Sequence, residues 1–384
     1  MRNAPHLVVS ISGHGFGHVA QTAPVLNLLF TYMPQLRLTV RSSVPLAHLR
    51  SRIKAPFAHM PSEGDIGMLM SSAVDVLAEE SRAAYHAFHA NWDARVEAEA
   101  RLLRGLGADM VLSNVGYLPL AGAQRAGIPN VALCSLNWFD IYRHYCGSHT
   151  ASSIRAGIVE ERMPHPSTGS GRMVDEIIAA QIHACYASAD AFLRITPGLA
   201  MAELTNLITV APIAAIGSDR RDELDCHLRL SKQDKLVLVS MGGIASRLPI
   251  ERWPRIDGVR WLVQGDWRLG HPDAIAIESL PMSFSDLLSS SDALICKPGY
   301  GSFVEAACSG TPVLYVSRAD WPETSALTGW LQQHGLCREV SRDALEQGDF
   351  AAALGELCSA LQPEPIVPKG AQQVSDWLAE RLGL

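Results

Sequence analysis

The chain lacks the marks by which several large functional classes are recognised. Its 32 Lys and Arg are outnumbered by 39 Asp and Glu, and they form no basic cluster, which excludes a surface built to grip a nucleic-acid backbone. The eight cysteines, at 134, 146, 185, 226, 296, 308, 337 and 358, contain no C-x-x-C and no Cys/His run at zinc spacing. Reduced core thiols in a reducing compartment are expected instead. No uncharged apolar run reaches the roughly eighteen residues of a membrane span. Leu7-Val8-Val9-Ser10-Ile11 comes too early, and without the flanks, to be a signal peptide, so a cytoplasmic location is the expectation. Internal repeats and low-complexity tracts are also missing.

What remains is an ordinary globular profile, 48% hydrophobic and 18% charged with a net charge of -7. A length of 384 residues suits two domains, each with its own core, better than one. The pattern is one of strands alternating with helices. His6 to Gly13 reads as a buried strand, followed by a glycine-rich turn and a helix carrying Ala20, Ala23, Leu26, Leu29 and Phe30. Further strands are expected at 36–42, 57–60, 110–114, 130–135 and 191–196, the last closing the first half, with one long helical segment over about 72–105. A charged stretch from Ser218 to Lys235 follows an aperiodic one around Pro212 and marks a junction. Strands at 236–241, 260–265, 274–279, 293–297 and 312–317 then repeat the alternation. The expected architecture is α/β, with two doubly wound, Rossmann-like parallel sheets facing a central cleft. Its expected divisions are 1–212, 213–368, and a last helix over 369–384 returning toward the first half.

Five segments could carry chemistry. Ser12-Gly13-His14-Gly15-Phe16-Gly17-His18 forms the first strand-to-helix turn. There Gly15 and Gly17 allow close backbone approach, and His14 or His18 supplies a base titrating near neutral pH. Its glycine spacing is not G-x-G-x-x-G and no ribose-binding acid follows, which disfavours a nicotinamide cofactor. Gly242 and Gly243 follow a strand and suit a diphosphate held by backbone N–H groups. In Lys297 to Glu305, Gly299 and Gly301 make the turn. Ser302 and Glu305 fit a capping box, while Glu305 equally suits the two hydroxyls of a ribose. Asp320 and Glu323 open the next helix, as caps or as contacts to a sugar. Asn137, Trp138 and Asp140 place an acid among aromatics at a strand end, either an aromatic plug or a sugar-binding surface.

Taken together, these segments resemble the GT-B glycosyltransferases. The likeness is to the group containing the N-acetylglucosaminyltransferase of the lipid-linked peptidoglycan precursor and, in the first loop and around Asn137 to Tyr142, to the glycosyltransferase-like N-terminal region of arabinokinases. The 384 residues do not extend to the kinase domain those proteins append. The resemblance implies transfer of a hexosyl or N-acetylhexosaminyl group from a UDP-linked donor, without a metal or other cofactor. The lack of a D-x-D triplet agrees. It also implies catalytic roles for His18, Asp140 and His14, acceptor contacts at Gly15, Gly17, Asn137 and Trp138, and diphosphate contacts at Gly242 and Gly243. Glu305 falls on the ribose ligand and Leu280-Pro281-Met282 on the uracil-recognising segment, although Pro281 has no N–H to donate to a base.

The implied partners are a nucleotide sugar and a small-molecule, glycan or lipid-linked acceptor. The apolar stretch Ile66-Gly67-Met68-Leu69-Met70 either folds over the acceptor cleft or touches a bilayer. Two other functions fit the same fold: a nucleotide-sugar hydrolase, since the first loop also resembles the UDP-sugar hydrolase of pseudaminic acid synthesis, and a non-catalytic sensor of sugar nucleotides.

Overall fold

The computed structural model describes residues 4–62, 64–147, 169–243, 247–267, 270–361 and 363–383. Ile244, Ala245 and Ser246, at the end of the second glycine turn, lie outside them. The first half runs β1 (His6–Ile11), α1 (Gly17–Tyr32), β2 (Arg37–Arg41), α2 (Leu46–Arg52), β3 (Ala58–Met60), α3 (Ala78–His89), α4 (Trp92–Leu106) and β4 (Met110–Asn114). It continues with α5 (Tyr117–Ala126), β5 (Asn130–Cys134), α6 (Trp138–Cys146), α7 (Gly169–Ala187), β6 (Ala191–Ile195) and β7 (Leu207–Val210). The second half begins with α8 (Arg221–Leu228), β8 (Lys235–Ser240), β9 (Val259–Val263), β10 (Ala274–Ala276), α9 (Phe284–Ser289), β11 (Ala293–Cys296) and α10 (Tyr300–Ser309). It ends with β12 (Val313–Val316), α11 (Thr324–His334), β13 (Cys337–Val340), α12 (Arg342–Gln347), α13 (Ala351–Ser359) and α14 (Gly370–Leu382).

Each half is one parallel sheet. The strand orders are β3-β2-β1-β4-β5-β6-β7 and β10-β9-β8-β11-β12-β13. In both, the order reverses beside the first strand of the half, between β1 and β4 and between β8 and β11. Connections on the two sides of such a reversal run to opposite faces, which opens a crevice at the strands' C-terminal ends. Strands such as β1 and β11 are buried along their whole length, as parallel strands covered by helices on both faces must be. The fold is thus the doubly wound pair expected from the alternation.

Three readings need correction. The helical stretch over 72–105 is two helices, because Asn91 leaves helical backbone at φ -124° and ψ 43°; asparagine competes for local backbone groups and favours such breaks. The first sheet does not close at β6: β7 adds on its edge, within the stretch read as aperiodic, and its exposed Ile208 hides the alternation. The second sheet likewise gains an edge strand, β13, whose Arg338 and Glu339 are exposed. Of the cysteines, all free, Cys226 is exposed on the charged helix α8, and Cys337 and Cys358 are half-buried, so only the other five are core thiols.

Helix α14 lies against α1. Ser375 Oγ donates to the Val25 carbonyl at 3.1 Å, and Val374 and Leu378 join Val25, Leu26 and Leu29 in one core. No described helix is long and apolar enough to cross a membrane. Leu378 is fully buried, so Leu378→Ala should remove about 2–5 kcal/mol of stability, read as a lower denaturant midpoint with an unchanged slope.

Candidate active site

The cleft is lined by the connections that leave both sheets at their reversal points and at the next strand outward. From the first sheet come the turn after β1, Asn114 ending β4, and Ser135 to Trp138 after β5. From the second come Gly242 and Gly243 after β8, Lys297 to Gly301 after β11, and Arg318 to Glu323 after β12.

His14 spans the two halves. Its ring stacks nearly parallel on Trp321, with centroids 5.8 Å apart, and meets Trp138 edge-on at 5.1 Å. The backbone N–H of Met68 approaches His14 Nδ1 at 3.5 Å, and Gly67 packs on the same ring. The stretch Ile66 to Met70 therefore folds over the cleft, with Met68 buried and Leu69 exposed. Beside it, Asp65 accepts hydrogen bonds from Trp138 Nε1 at 2.6 Å and Ser12 Oγ at 3.1 Å.

His18 anchors a directed chain of hydrogen bonds that crosses to the second half. Ser135 Oγ donates to Glu323 Oε1 at 2.5 Å, and Gln21 Nε2 donates to Ser135 Oγ at 2.8 Å. Asn114 Nδ2 donates to Gln21 Oε1 at 3.1 Å, leaving Asn114 Oδ1 to accept from His18 Nδ1 at 2.8 Å. An amide oxygen only accepts, so Asn114 Oδ1 requires a proton on the His18 nitrogen that faces it. The proton of His18 is thereby fixed on Nδ1, and Nε2 is left as the basic nitrogen. All five side chains are buried.

Burial lowers His18 to about 4, and burial with the charges of His18, Lys297 and Arg318 lowers His14 to about 3. The expectation of a histidine titrating near neutrality is corrected: both rings are neutral over the physiological range.

Positive charge gathers opposite. Lys297 is lowered to about 8, by burial and then by Arg318, and so still carries its proton at neutral pH. A Cβ on Gly242 would lie 3.4 Å from Lys297 Cε and 4.0 Å from Nζ, and one on Gly299 3.8 Å from Nζ. The ammonium thus sits between the two glycine turns. Gly242, at φ +81°, adopts a backbone that a side-chain-bearing residue would strain. Arg318 is 4% exposed, and its Nε and Nη2 have no partner.

The capping readings fail. Gly299, not Ser302, is the N-cap of α10, and Glu323, the N-cap position of α11, makes no capping bond. Both glutamates turn into the cleft instead. Glu323 is pushed up by burial, against Ser135, Trp321, Lys297 and Arg318. Glu305 is pushed up by burial, against Arg52 and the Ala215 N–H, and it pairs with Arg52 from α2. Phe16 occupies the space a Cβ on Gly243 would take, at 2.6 Å, and stacks on His48. Ala20 similarly closes on Gly301.

Other sequence candidates stand apart. Asp140 donates its backbone N–H to Asn137 Oδ1 at 2.7 Å and accepts from Asn137 Nδ2 at 2.8 Å, an N-terminal cap for α6. Its carboxyl is raised by burial and by Glu203, against Asn137, Arg143 and His183, and neither first-loop histidine is among its partners. Asp320 is exposed, and its backbone oxygen accepts from Tyr145 Oη at 2.9 Å. Leu280 is buried, Met282 half-buried, and Pro281 exposed with its carbonyl 3.5 Å from Arg220 Nη1. Gly15, at φ +81°, and Gly17, the first residue of α1, shape the first turn.

Asp65, Gln21, Asn114, Ser135, Arg318 and Arg52 are not singled out by the sequence, and Lys297 is singled out only as the first residue of its segment. Asn114 and Lys297 share one usable signal, a polar residue closing an apolar strand beside a reversal point, and Ser135 closes the next strand outward. Arg52 and Gln21 sit on helices and carry no such mark.

No known family profile matches the chain. It is 24% identical over 375 residues to the L-arabinokinase of Arabidopsis thaliana, covering 94% of this chain and 33% of that protein, so it spans about a third of the relative's length. Among solved structures, the calicheamicin glycosyltransferase CalG4 is similar with a TM-score of 0.58 at 14% identity, over 100% of this chain and 99% of that one. Arabidopsis thaliana UGT89C1, complexed with quercetin, gives 0.59 at 12% over 99% and 100%. LpCGTa, in complex with UDP, gives 0.58 at 15% over 99% and 100%. The fold is that of the GT-B glycosyltransferases.

The lowered histidines make a stability prediction. Between the ordinary value of 6.5 and the folded values of about 3 for His14 and about 4 for His18, the unfolded chain binds more protons. This stabilisation is complete above pH 6.5 and is lost as pH falls toward 4. Tm measured across that window should drop, and the drop should shrink in His14→Gln.

Proposed function

We propose that the chain is a glycosyltransferase that moves a sugar, of the hexosyl or N-acetylhexosaminyl kind, from a UDP-linked donor to an acceptor hydroxyl without a metal. The observation that carries this reading is the directed chain ending at His18 in one half, together with the Lys297 ammonium held between two glycine turns of the other. One half offers a base and the other a seat for a leaving anion. The UDP-bound neighbour LpCGTa supports the choice of nucleotide.

In this reading His18 Nε2 takes the proton of the acceptor hydroxyl as its oxygen bonds to the anomeric carbon. The bond from that carbon to the diphosphate breaks, and the electron pair leaves with the diphosphate. Charge develops at both ends. The forming imidazolium keeps its Nδ1–H bond to Asn114, and Glu323 lies at the far end of the chain. Lys297, with the N–H groups of Gly243 and the start of α10 at Gly301 and Ser302, takes the diphosphate charge, the role a metal plays elsewhere. Acceptors enter along Gly15, Gly17, Asn137 and Trp138. In this reading the base is His18 rather than Asp140, whose carboxylate accepts from the Asn137 side chain that caps α6. Glu305 binds the ribose hydroxyls once Arg52 gives way, which requires the halves to part slightly.

His18→Ala should reduce turnover by about two to four orders of magnitude. Ser135→Ala breaks the directed chain, and should lower kcat with little change in KM. Full turnover in His18→Ala would sink the assignment of the base. The kcat/KM profile should have an acid limb near the His18 value of about 4 and an alkaline limb near the Lys297 value of about 8, because the neutral imidazole and the charged ammonium are both required. Glu305→Ala should weaken UDP binding while Arg52→Ala tightens it, measured by calorimetry, since Arg52 competes for the same carboxylate. Release of nucleotide at full rate without an acceptor would point to a hydrolase, and tight donor binding without turnover to a sensor.

A further inference from the structure

The directed chain and Lys297 leave one strongly polar group in the cleft without a task. Arg318 follows β12, is 4% exposed, and has two unpartnered nitrogens, Nε and Nη2. These two lie on the same edge of the guanidinium, with parallel N–H bonds spaced to meet two oxygens of one oxyanion. Trp321 holds the guanidinium plane from one face at 4.4 Å. The acidic neighbours are committed elsewhere: Glu323 accepts from Ser135 and, at 3.5 Å, from Trp321 Nε1, while Asp320 Oδ2 faces Tyr145 Oη at 3.4 Å. A buried guanidinium edge with no partner is costly to the empty protein, which marks it as a seat for a ligand.

The position of that seat selects the ligand. Lys297 lies at the reversal point between β8 and β11, where the diphosphate is placed above. Arg318 follows β12, the strand that pairs with β11 on the side away from β8, and so belongs to the next connection outward in the same sheet. The group bonded to the outer phosphate of a nucleotide sugar is the sugar itself. We infer that Arg318 is a specificity-determining residue that grips a carboxylate on the transferred sugar, so that the donor is a nucleotide-linked uronic acid. The inference rests on the donor-site reading above and sharpens its sugar. The carboxylate takes no part in bond changes: the anomeric carbon exchanges its diphosphate oxygen for the acceptor oxygen, as for any other sugar.

Calorimetric titration of the full chain with UDP, UDP-glucose and UDP-glucuronate, on the wild type, Arg318→Lys and Arg318→Leu, tests this. UDP-glucuronate should bind the wild type about tenfold or more tighter than UDP-glucose, as expected for a charge-assisted bidentate contact. The preference should shrink in Arg318→Lys, which keeps the charge but not the fork, and vanish in Arg318→Leu, with UDP affinity unchanged in both. Tm of the empty Arg318→Leu protein should equal or exceed that of the wild type, because a strained, unpaired group is removed; a structural arginine would give a fall. Equal wild-type affinity for the two sugar nucleotides overturns the inference and leaves the donor-site reading standing. So does an equal weakening of UDP itself by Arg318→Leu, which would make Arg318 a diphosphate ligand. If none of the three ligands binds the wild type, the donor-site reading fails and the inference falls with it.

Discussion

The structure turns on the sense of one buried run of hydrogen bonds. Glu323, Ser135, Gln21, Asn114 and His18 come from four separate elements, His18 and Gln21 sharing α1, and from both halves, yet they form one continuous run. Reversal of a single link would leave two donors or two acceptors facing each other among buried side chains, at a cost comparable to a lost hydrogen bond or more. The Asn114 amide oxygen therefore holds the His18 proton on Nδ1. Because Glu323 and His18 belong to different halves, the run is complete only when the halves meet as they do here.

The second constraint is charge. Lys297 and Arg318 are held in the cleft without ion pairs, while most other buried cations pair: Arg41 with Glu99 and Arg52 with Glu305. Desolvating an unpaired cation opposes folding, and the drop of Lys297 to about 8 is the trace of that cost. The expense is offset by the large cores of the two sheets. Arg52 makes a related compromise. It pairs with Glu305 across the two halves, so the closeness of the halves and the neutralisation of that buried carboxylate go together.

Motif reading succeeded where backbone dictates the answer and failed where two roles share one residue type. Ser302 with Glu305, and Asp320 with Glu323, have the spacing of helix caps, but the helices start at Tyr300 and Thr324, one at a glycine cap and one without a capping bond. A shift of two or three residues in a helix start turns a cap into a cleft carboxylate, and boundaries are the least legible feature of a sequence. Around Asp140 a cap went unread instead: Asn137 caps α6, its side chain accepting from the Asp140 N–H and donating to the Asp140 carboxylate.

Periodicity and turn chemistry by themselves determined the two parallel sheets, the glycine turns at their reversal points, and the presence of histidines in the first loop. These are local: buried parallel strands must be apolar throughout, and a tight strand-to-helix turn must admit glycine. Tertiary structure alone decided which polar groups face each other. Arg52 lies 253 residues from Glu305, and Ser135 lies 188 from Glu323. No sequence window spans such distances, and the pKa values of His14, His18 and Lys297 follow from burial that exists only once both halves have closed on the same space.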